Sequence, residues 1–136
     1  MRLLLLGCTG FVGRELVPFL LNLGHQLTLV SRRPRPDSEA ADPRLTNLCF
    51  DLADPASWRQ PPLLEALEAA DGVVNLAGES IADQRWTPTY RQRLLDSRLV
   101  TTTQLVRAMA NLATPPSVLV SGSAVCYYGT SLEGCF

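Results

Sequence analysis

The sequence contains no lysine, so all twelve of its basic residues are arginine. Histidine is nearly absent too, since His25 is the only one. The four cysteines, Cys8, Cys49, Cys126 and Cys135, form no CxxC pair and have no histidine beside them. This spacing is not that of a metal site. We interpret the cysteines as small buried residues or incidental thiols.

Long hydrophobic runs are missing as well. The run Leu3 to Leu6 is far too short for a signal peptide or a transmembrane helix, so we expect a cytosolic or otherwise reducing compartment. A formal net charge of −1 argues against a general nucleic-acid or membrane-surface binder. The chain has 136 residues, 46% of them hydrophobic, which suits one globular domain with a buried core.

Short apolar runs alternate with helical patterns along the chain. This order is typical of right-handed βαβ units, so we predict an α/β fold with a doubly wound parallel sheet, strand order 3-2-1-4-5 and helices on both faces. In the last helix, apolar residues are expected to share one face: Leu94, Leu95, Leu99, Leu105, Val106 and Met109. Strands are predicted at residues 2–6, 26–31, 46–52, 71–78 and 117–124, and helices at 11–23, 61–70 and 87–112.

Three glycines in "GCTGFVG" follow the first strand and open the first helix. Free backbone N–H groups and the positive end of a helix meet there, which favours an anionic pyrophosphate. We expect Gly7 to permit a tight turn, Gly10 to leave room for phosphates, and Gly13 to let the helix approach the sheet. The alternative is a loop with a purely structural role.

The second strand ends in Ser31, Arg32 and Arg33. NAD-binding proteins usually carry an acidic residue here, which accepts hydrogen bonds from the ribose hydroxyls. Two arginines instead suit a 2′-phosphate, because a guanidinium presents a planar fork of charged donors. The pattern therefore favours NADP(H) over NAD(H), with a solvated basic turn as the alternative.

Four motifs in this sequence resemble a known family. "GCTGFVG" resembles the TGxxGxxG loop of the extended short-chain dehydrogenases/reductases, the nucleotide-sugar epimerase group. "NLAGESIADQRW", "LLDSRLVTTTQLV" and "SGSAVCYYG" are similar to an epimerase-like branch that includes the short-chain dehydrogenase 39U group. The resemblance covers essentially the whole chain. It implies a Rossmann domain that binds NAD(P) over residues 1–136.

The resemblance also implies particular cofactor contacts. Asp51 and Leu52, expected to end strand three, match a pair that flanks the adenine. Glu79 and Arg85 match polar residues characteristic of the branch, although an ordinary solvated ion pair explains them equally well. The other implied contacts are Thr9, Phe11 and Val12 in the glycine loop, the small-residue turn Leu76, Ala77 and Gly78, and Ser121.

The same resemblance locates the expected chemistry. Ser123 matches the serine that holds the substrate oxygen, whereas Tyr127 and Tyr128 do not match the catalytic tyrosine of the family's Tyr-x-x-x-Lys pair. That pair cannot be assembled from this chain, which has no lysine to lower a tyrosine pKa. Arg98 stands where typical epimerases carry asparagine, and Cys126 where the branch usually has glycine.

Members of this family are longer, so we expect a truncated chain whose Rossmann domain lacks its C-terminal part. Strand five would then leave an unpaired edge that promotes self-association. Three functions remain open: the NADP(H)-binding part of an epimerase or oxidoreductase with a small-molecule substrate, a non-catalytic NADP-binding module for redox sensing or partner binding, and an inactive gene fragment. Nothing in the sequence identifies a substrate.

Overall fold

The computed structural model describes residues 1–33, 42–82 and 84–123. Its five strands are all parallel and lie in the order β3-β2-β1-β4-β5, which confirms the predicted sheet. The strands are β1 (Arg2–Leu6), β2 (Gln26–Ser31), β3 (Leu45–Cys49), β4 (Gly72–Asn75) and β5 (Val118–Ser121), and the helices are α1 (Phe11–Asn22), α2 (Pro61–Glu68) and α3 (Pro88–Ala110).

The leucine run of β1 forms the centre of the core. Leu4, Leu5 and Leu6 are each fully buried, and successive side chains of a strand point to opposite faces. Leu5 packs in a cluster with Val17 of α1. On the other face, Leu4 and Leu6 pack in a cluster with residues of α2 and α3, namely Leu63, Leu67 and Leu105. Both faces of the sheet are therefore covered by helices, as predicted.

Helix α1 connects β1 to β2 across one face of the sheet. It begins after Gly10 and ends before Gly24, which has a φ of +83° and whose N–H donates to the carbonyl of Leu21 (2.9 Å). A left-handed glycine of this kind is a common helix stop. The glycine loop joins the end of β1 directly to the start of α1. It therefore lies where the carboxyl ends of the strands meet, which we call the carboxyl edge of the sheet.

Helix α3 differs from the predicted pattern, because its apolar residues do not share one face. Leu94 and Leu105 are buried, whereas Leu95, Leu99 and Val106 are about half exposed or more. Leu94 and Leu105 lie about 100° around the helix axis from the three exposed residues. Only the stripe that contains Leu94 and Leu105 faces the sheet. In the described part of the chain, no helix is long and apolar enough to cross a membrane.

The third and fourth strands end earlier than the sequence predicts. Asp51 and Leu52 do not end β3, because the pairing with β2 closes where the Phe50 N–H donates to the Ser31 carbonyl (3.0 Å). The Asp51 carboxylate then accepts a hydrogen bond from the Ala53 N–H (3.0 Å), which forms a local turn. Leu76 to Gly78 likewise lie beyond β4. These segments therefore lie in loops at the carboxyl edge of the sheet, where ligands bind in folds of this kind.

Candidate cofactor-binding site

The glycine loop lies against the loop that follows β4. Gly7 has a φ of +72°, and a β-carbon on it would lie 2.5 Å from the Cα of Ala77. Side chains are disfavoured at such a φ, and the contact leaves no room for one. Gly7 therefore permits the tight turn that the sequence predicts, and it also lets the two loops touch.

Gly10 and Gly13 differ in how closely other atoms surround them. A β-carbon on Gly13 would lie 2.0 Å from the carbonyl oxygen of Cys8, so α1 packs directly on the backbone of its own preceding loop. The sequence predicted an approach to the sheet, and the closest contact is instead this loop. A β-carbon on Gly10 would meet nothing within 4 Å. Gly10 therefore borders open space.

The N-terminus of α1 faces that space without any acidic residue in its first turn. Gly10 is the N-cap residue and provides no side-chain hydrogen bond to the helix. The first N–H groups of a helix have no partner within the helix, and its dipole favours a negative charge beside them. This arrangement fits a phosphate group at Gly10.

A cavity of about 190 Å³ opens at this edge of the sheet. It is smaller than the roughly 300 Å³ at which ligand pockets usually begin, so it is large enough for only part of a ligand of dinucleotide size. Phe11, Val12, Gly13, Arg33, Leu76, Arg85 and Ser121 do not line it. The predicted residues that do line it are Gly7, Thr9, Gly10, Ser31, Arg32, Asp51, Leu52, Ala77, Gly78 and Glu79.

A second and larger cavity, of about 240 Å³, lies at the opposite edge of the sheet, where the amino ends of the strands meet. Its two arginines are both neutralised: Arg44 pairs with Asp42 (2.6 Å) and Arg2 with Asp71 (3.7 Å). Hydrogen bonds from Arg44 hold the Asp42 carboxyl at a pKa of about 2. The N–H of Arg2 lowers the pKa of Asp71. Ligands of doubly wound folds bind at the carboxyl ends of the strands, so the smaller cavity is the candidate site.

The two arginines that follow β2 are placed differently. Arg32 lines the cavity, and its Nη1 lies 3.0 Å from Oε2 of Glu79. Arg33 is exposed and does not line the cavity, although its carbonyl accepts a hydrogen bond from the Ser31 hydroxyl (2.7 Å). Of these two arginines, Arg32 is therefore the one that a ligand in the cavity would meet.

Glu79, in the loop after β4, contacts both the residue that follows β2 and helix α3. Its second carboxylate oxygen lies 3.1 Å from Nη2 of Arg93 on α3. Its backbone N–H donates to the hydroxyl of Ser97 (2.9 Å), and its carbonyl accepts from Nη2 of Arg98 (3.1 Å). An ordinary ion pair between Glu79 and Arg85 is therefore not what forms. Glu79 pairs with Arg32 and Arg93 instead, because α3 and the end of β2 approach it from two sides.

Arg98 of α3 packs against the loop after β4. A β-carbon on Gly78 would lie 3.2 Å from Cζ of Arg98, so the guanidinium packs on the bare glycine backbone. The same side chain donates to the carbonyl of Leu94 one turn earlier (3.2 Å). Arg98 thus ties Gly78 and Glu79 to α3 and contributes to the shape of the cavity.

Asn75, which was not among the predicted site residues, is 3% exposed at the end of β4. Its amide nitrogen donates to the hydroxyls of Thr102 (3.3 Å) and Ser121 (3.4 Å), and its oxygen accepts from the Ala77 N–H (3.2 Å). The signal was a polar residue that ends the otherwise apolar run "GVVN". Asn75 fixes the turn that passes Gly7. Ser97 and Thr101, which line the cavity from α3, were also missed.

Ser123, the one residue expected to act in chemistry, stands apart from the cavity. Ser123 is exposed just beyond β5 and does not line the cavity, while Ser121 is held by Asn75. Tyr127, Tyr128 and Cys126 lie outside the described residues. The described part holds no cluster of three or more residues suited to a metal ion. Burial raises the pKa of the Cys8 thiol to about 11, which leaves it unreactive near neutral pH.

Comparisons with known proteins find relatives that match almost the whole chain. Bovine epimerase family protein SDR39U1 is 37% identical over 134 residues, which is 97% of this chain and 40% of that protein. Epimerase family protein YfhF of Bacillus subtilis is 35% identical over all of this chain and 42% of its own length. The crystal structure of human SDR39U1 (isoform 2) with NADPH matches 98% of this chain and 40% of its own, with 34% identity and a TM-score of 0.69.

The chain spans about 40% of the length of the curated relatives it matches. The model of one family matches residues 3–134, which is almost the whole chain. On that match, and on the parallel sheet and glycine loop described above, the chain belongs to the NAD dependent epimerase/dehydratase family.

Proposed function

We propose that this chain binds NADP(H) in preference to NAD(H) and forms the cofactor-binding part of an epimerase or oxidoreductase of the extended short-chain dehydrogenase type. The observation that carries this proposal is Arg32, an arginine at the end of β2 that lines the cavity beside the glycine loop. A match to the human relative solved with NADPH supports it. The same proposal treats residues 1–136 as an incomplete Rossmann domain.

Each part of the cavity suits one part of the dinucleotide. Gly10 and the first turn of α1 offer backbone N–H groups to the diphosphate. Arg32 offers charged donors to the 2′-phosphate. Asp51 and Leu52, in the turn after β3, line the side of the cavity where we place the adenine. When bound, the nicotinamide ring supplies hydride transfer, and these residues of the chain bind and orient the molecule.

Catalysis is a separate part of the proposal. Ser123 is proposed to hold a substrate oxygen at the end of β5. Proton transfer contributes about 10²- to 10⁴-fold to such reactions and needs a group with a pKa tuned near the working pH. A chain without lysine supplies no Tyr-Lys pair, and arginine stays protonated. We therefore expect this 136-residue chain to bind cofactor and to catalyse neither hydride transfer nor epimerisation by itself.

A non-catalytic NADP-binding module, which needs no Tyr-Lys pair, is the second candidate function. The two candidates differ in whether the native gene encodes a Tyr-x-x-x-Lys pair beyond Phe136: such a pair would favour the enzyme, and its absence together with retained NADPH binding would favour the module. A single-turnover assay with NADPH and a panel of carbonyl and nucleotide-sugar substrates tests the expected lack of catalysis. Turnover that is lost in Ser123→Ala would contradict the module and would show that the active site needs no Tyr-Lys pair. Binding without turnover would leave catalysis to a longer protein that carries such a pair.

Calorimetric titration of the chain with NADPH and with NADH tests the proposal itself. We expect both dinucleotides to bind at one site per chain, with NADPH the tighter of the two. Equal affinities would refute the preference for NADP(H). If neither dinucleotide bound, the cofactor assignment itself would be wrong.

A further inference from the structure

We propose that Glu79 tunes the cofactor preference of the cavity by competing with the ligand's 2′-phosphate for Arg32. This inference rests on the proposed function. It concerns which residue limits the preference for NADP(H), whereas the proposed function concerns whether the chain binds a dinucleotide and prefers NADP(H).

The competition follows from where the two charges lie. Arg32 and Glu79 both line the cavity, and their ion pair measures 3.0 Å. Arg32 is the only basic residue among the described residues that line it. A phosphate that enters the cavity therefore meets an arginine that already has an anionic partner.

Glu79 is the better anchored of the two partners. Its side chain is 17% exposed and is also held by Arg93, while Ser97 and Arg98 hold its backbone. The Arg32 side chain is 63% exposed, and Glu79 is its one ionic partner in the described part of the chain. The carboxylate should therefore keep its place when a ligand binds, and the guanidinium must be shared between carboxylate and phosphate.

The sign of the effect follows from the charges. A carboxylate beside Arg32 repels a 2′-phosphate and occupies part of the donor fork that would bind it. NADH has a hydroxyl at that position, and a carboxylate can accept a hydrogen bond from it. Glu79 should therefore weaken the binding of NADPH and leave that of NADH unchanged or slightly stronger. Screened pairs at a surface change affinity by about two- to fivefold, which is the expected size.

The test compares the ratio of NADPH to NADH affinity in Glu79→Gln and in the wild-type chain. Glutamine keeps the shape of the side chain and removes its charge, so we expect the ratio to rise by about two- to fivefold. Asp96→Asn is the matched control. It removes one charge from an exposed residue of α3 that pairs with Gln92 and does not line the cavity, so the ratio should stay constant.

A second variant should move the ratio the other way. Arg93→Ala removes the other partner of Glu79, so the carboxylate should hold Arg32 more tightly and the ratio should fall. If circular dichroism shows that Glu79→Gln does not fold, Arg93→Ala tests the inference by itself. The inference is overturned if Glu79→Gln leaves the ratio unchanged or lowers it, or if Arg93→Ala leaves it unchanged or raises it. Failure of the proposed function looks different, because the wild-type chain would then bind neither dinucleotide or would bind both with equal affinity.

Discussion

The guanidinium of Arg32 and the carboxylate of Glu79, 3.0 Å apart, join the loops that follow two strands which are not neighbours in the sheet. Arg32 follows β2 and Glu79 lies beyond β4, and β1 with its glycine loop runs between them. The ion pair therefore spans the place where a doubly wound fold binds its ligand. The pair places Arg32, which is expected to bind the 2′-phosphate, in contact with Glu79, which is proposed to weaken that binding.

The two arginines after β2 should differ in their effect on NADPH binding. Arg32→Ala removes the cation that lines the cavity, and loss of a charge-assisted contact costs about 1.5 to 3 kcal/mol, or about ten- to hundredfold in affinity. Arg33→Ala is the matched control, because Arg33 does not line the cavity and its loss should matter much less. Calorimetric titration of both variants with NADPH and NADH measures this. An equal loss in the two variants would show that Arg32 has no special position.

Gly10→Val should abolish dinucleotide binding and leave the fold in place. A β-carbon on Gly10 would meet nothing within 4 Å, so the valine side chain should project into the open space where we place the diphosphate. Asn22→Val places the same residue at the exposed far end of α1 and should bind normally. Far-ultraviolet circular dichroism and NADPH fluorescence together report fold and binding. Normal NADPH binding by Gly10→Val would mean that the glycine loop is only a turn.

Gly13→Ala should instead destabilise the protein. Its β-carbon would lie 2.0 Å from a backbone carbonyl, which cannot move aside as a flexible side chain can. Overpacking of this kind typically costs about 1 to 3 kcal/mol. Urea denaturation of Gly13→Ala, with Gly10→Ala as the matched control, measures the difference. A Gly13→Ala variant as stable as the control would contradict the packing described for α1.

The sequence predicted the sheet well because its signals are local. The buried run Leu4–Leu6 and the glycines that follow it need no distant residue to be interpreted, and the strand order follows from simple βαβ connections. The exposed stripe of α3 could not be predicted, because spacing along a helix does not show how wide a surface faces the sheet. The ion pair between Arg32 and Glu79 joins residues 47 positions apart in the sequence, so it is apparent only from the three-dimensional structure.

The isolated 136-residue chain is expected to self-associate through β5. This strand lies at the edge of the described sheet, and Val118 and Val120 are each about half exposed. Exposed apolar edge strands favour pairing with other chains. Sedimentation should show dimers or larger species at micromolar concentration, and fewer of them in Val118→Thr/Val120→Thr. A monomer that melts sharply and reversibly would contradict this expectation.

The most direct measurement is an amide chemical-shift titration of the isotope-labelled chain with NADPH. We predict shifts at Gly7, Thr9 and Gly10, and at Arg32 and Glu79, the two ends of the ion pair. The larger cavity at the opposite edge of the sheet serves as the internal control, and amides beside it should not move. Shifts that cluster at that edge, or no shifts at saturating NADPH, would contradict the account of this chain as a nicotinamide-dinucleotide-binding domain.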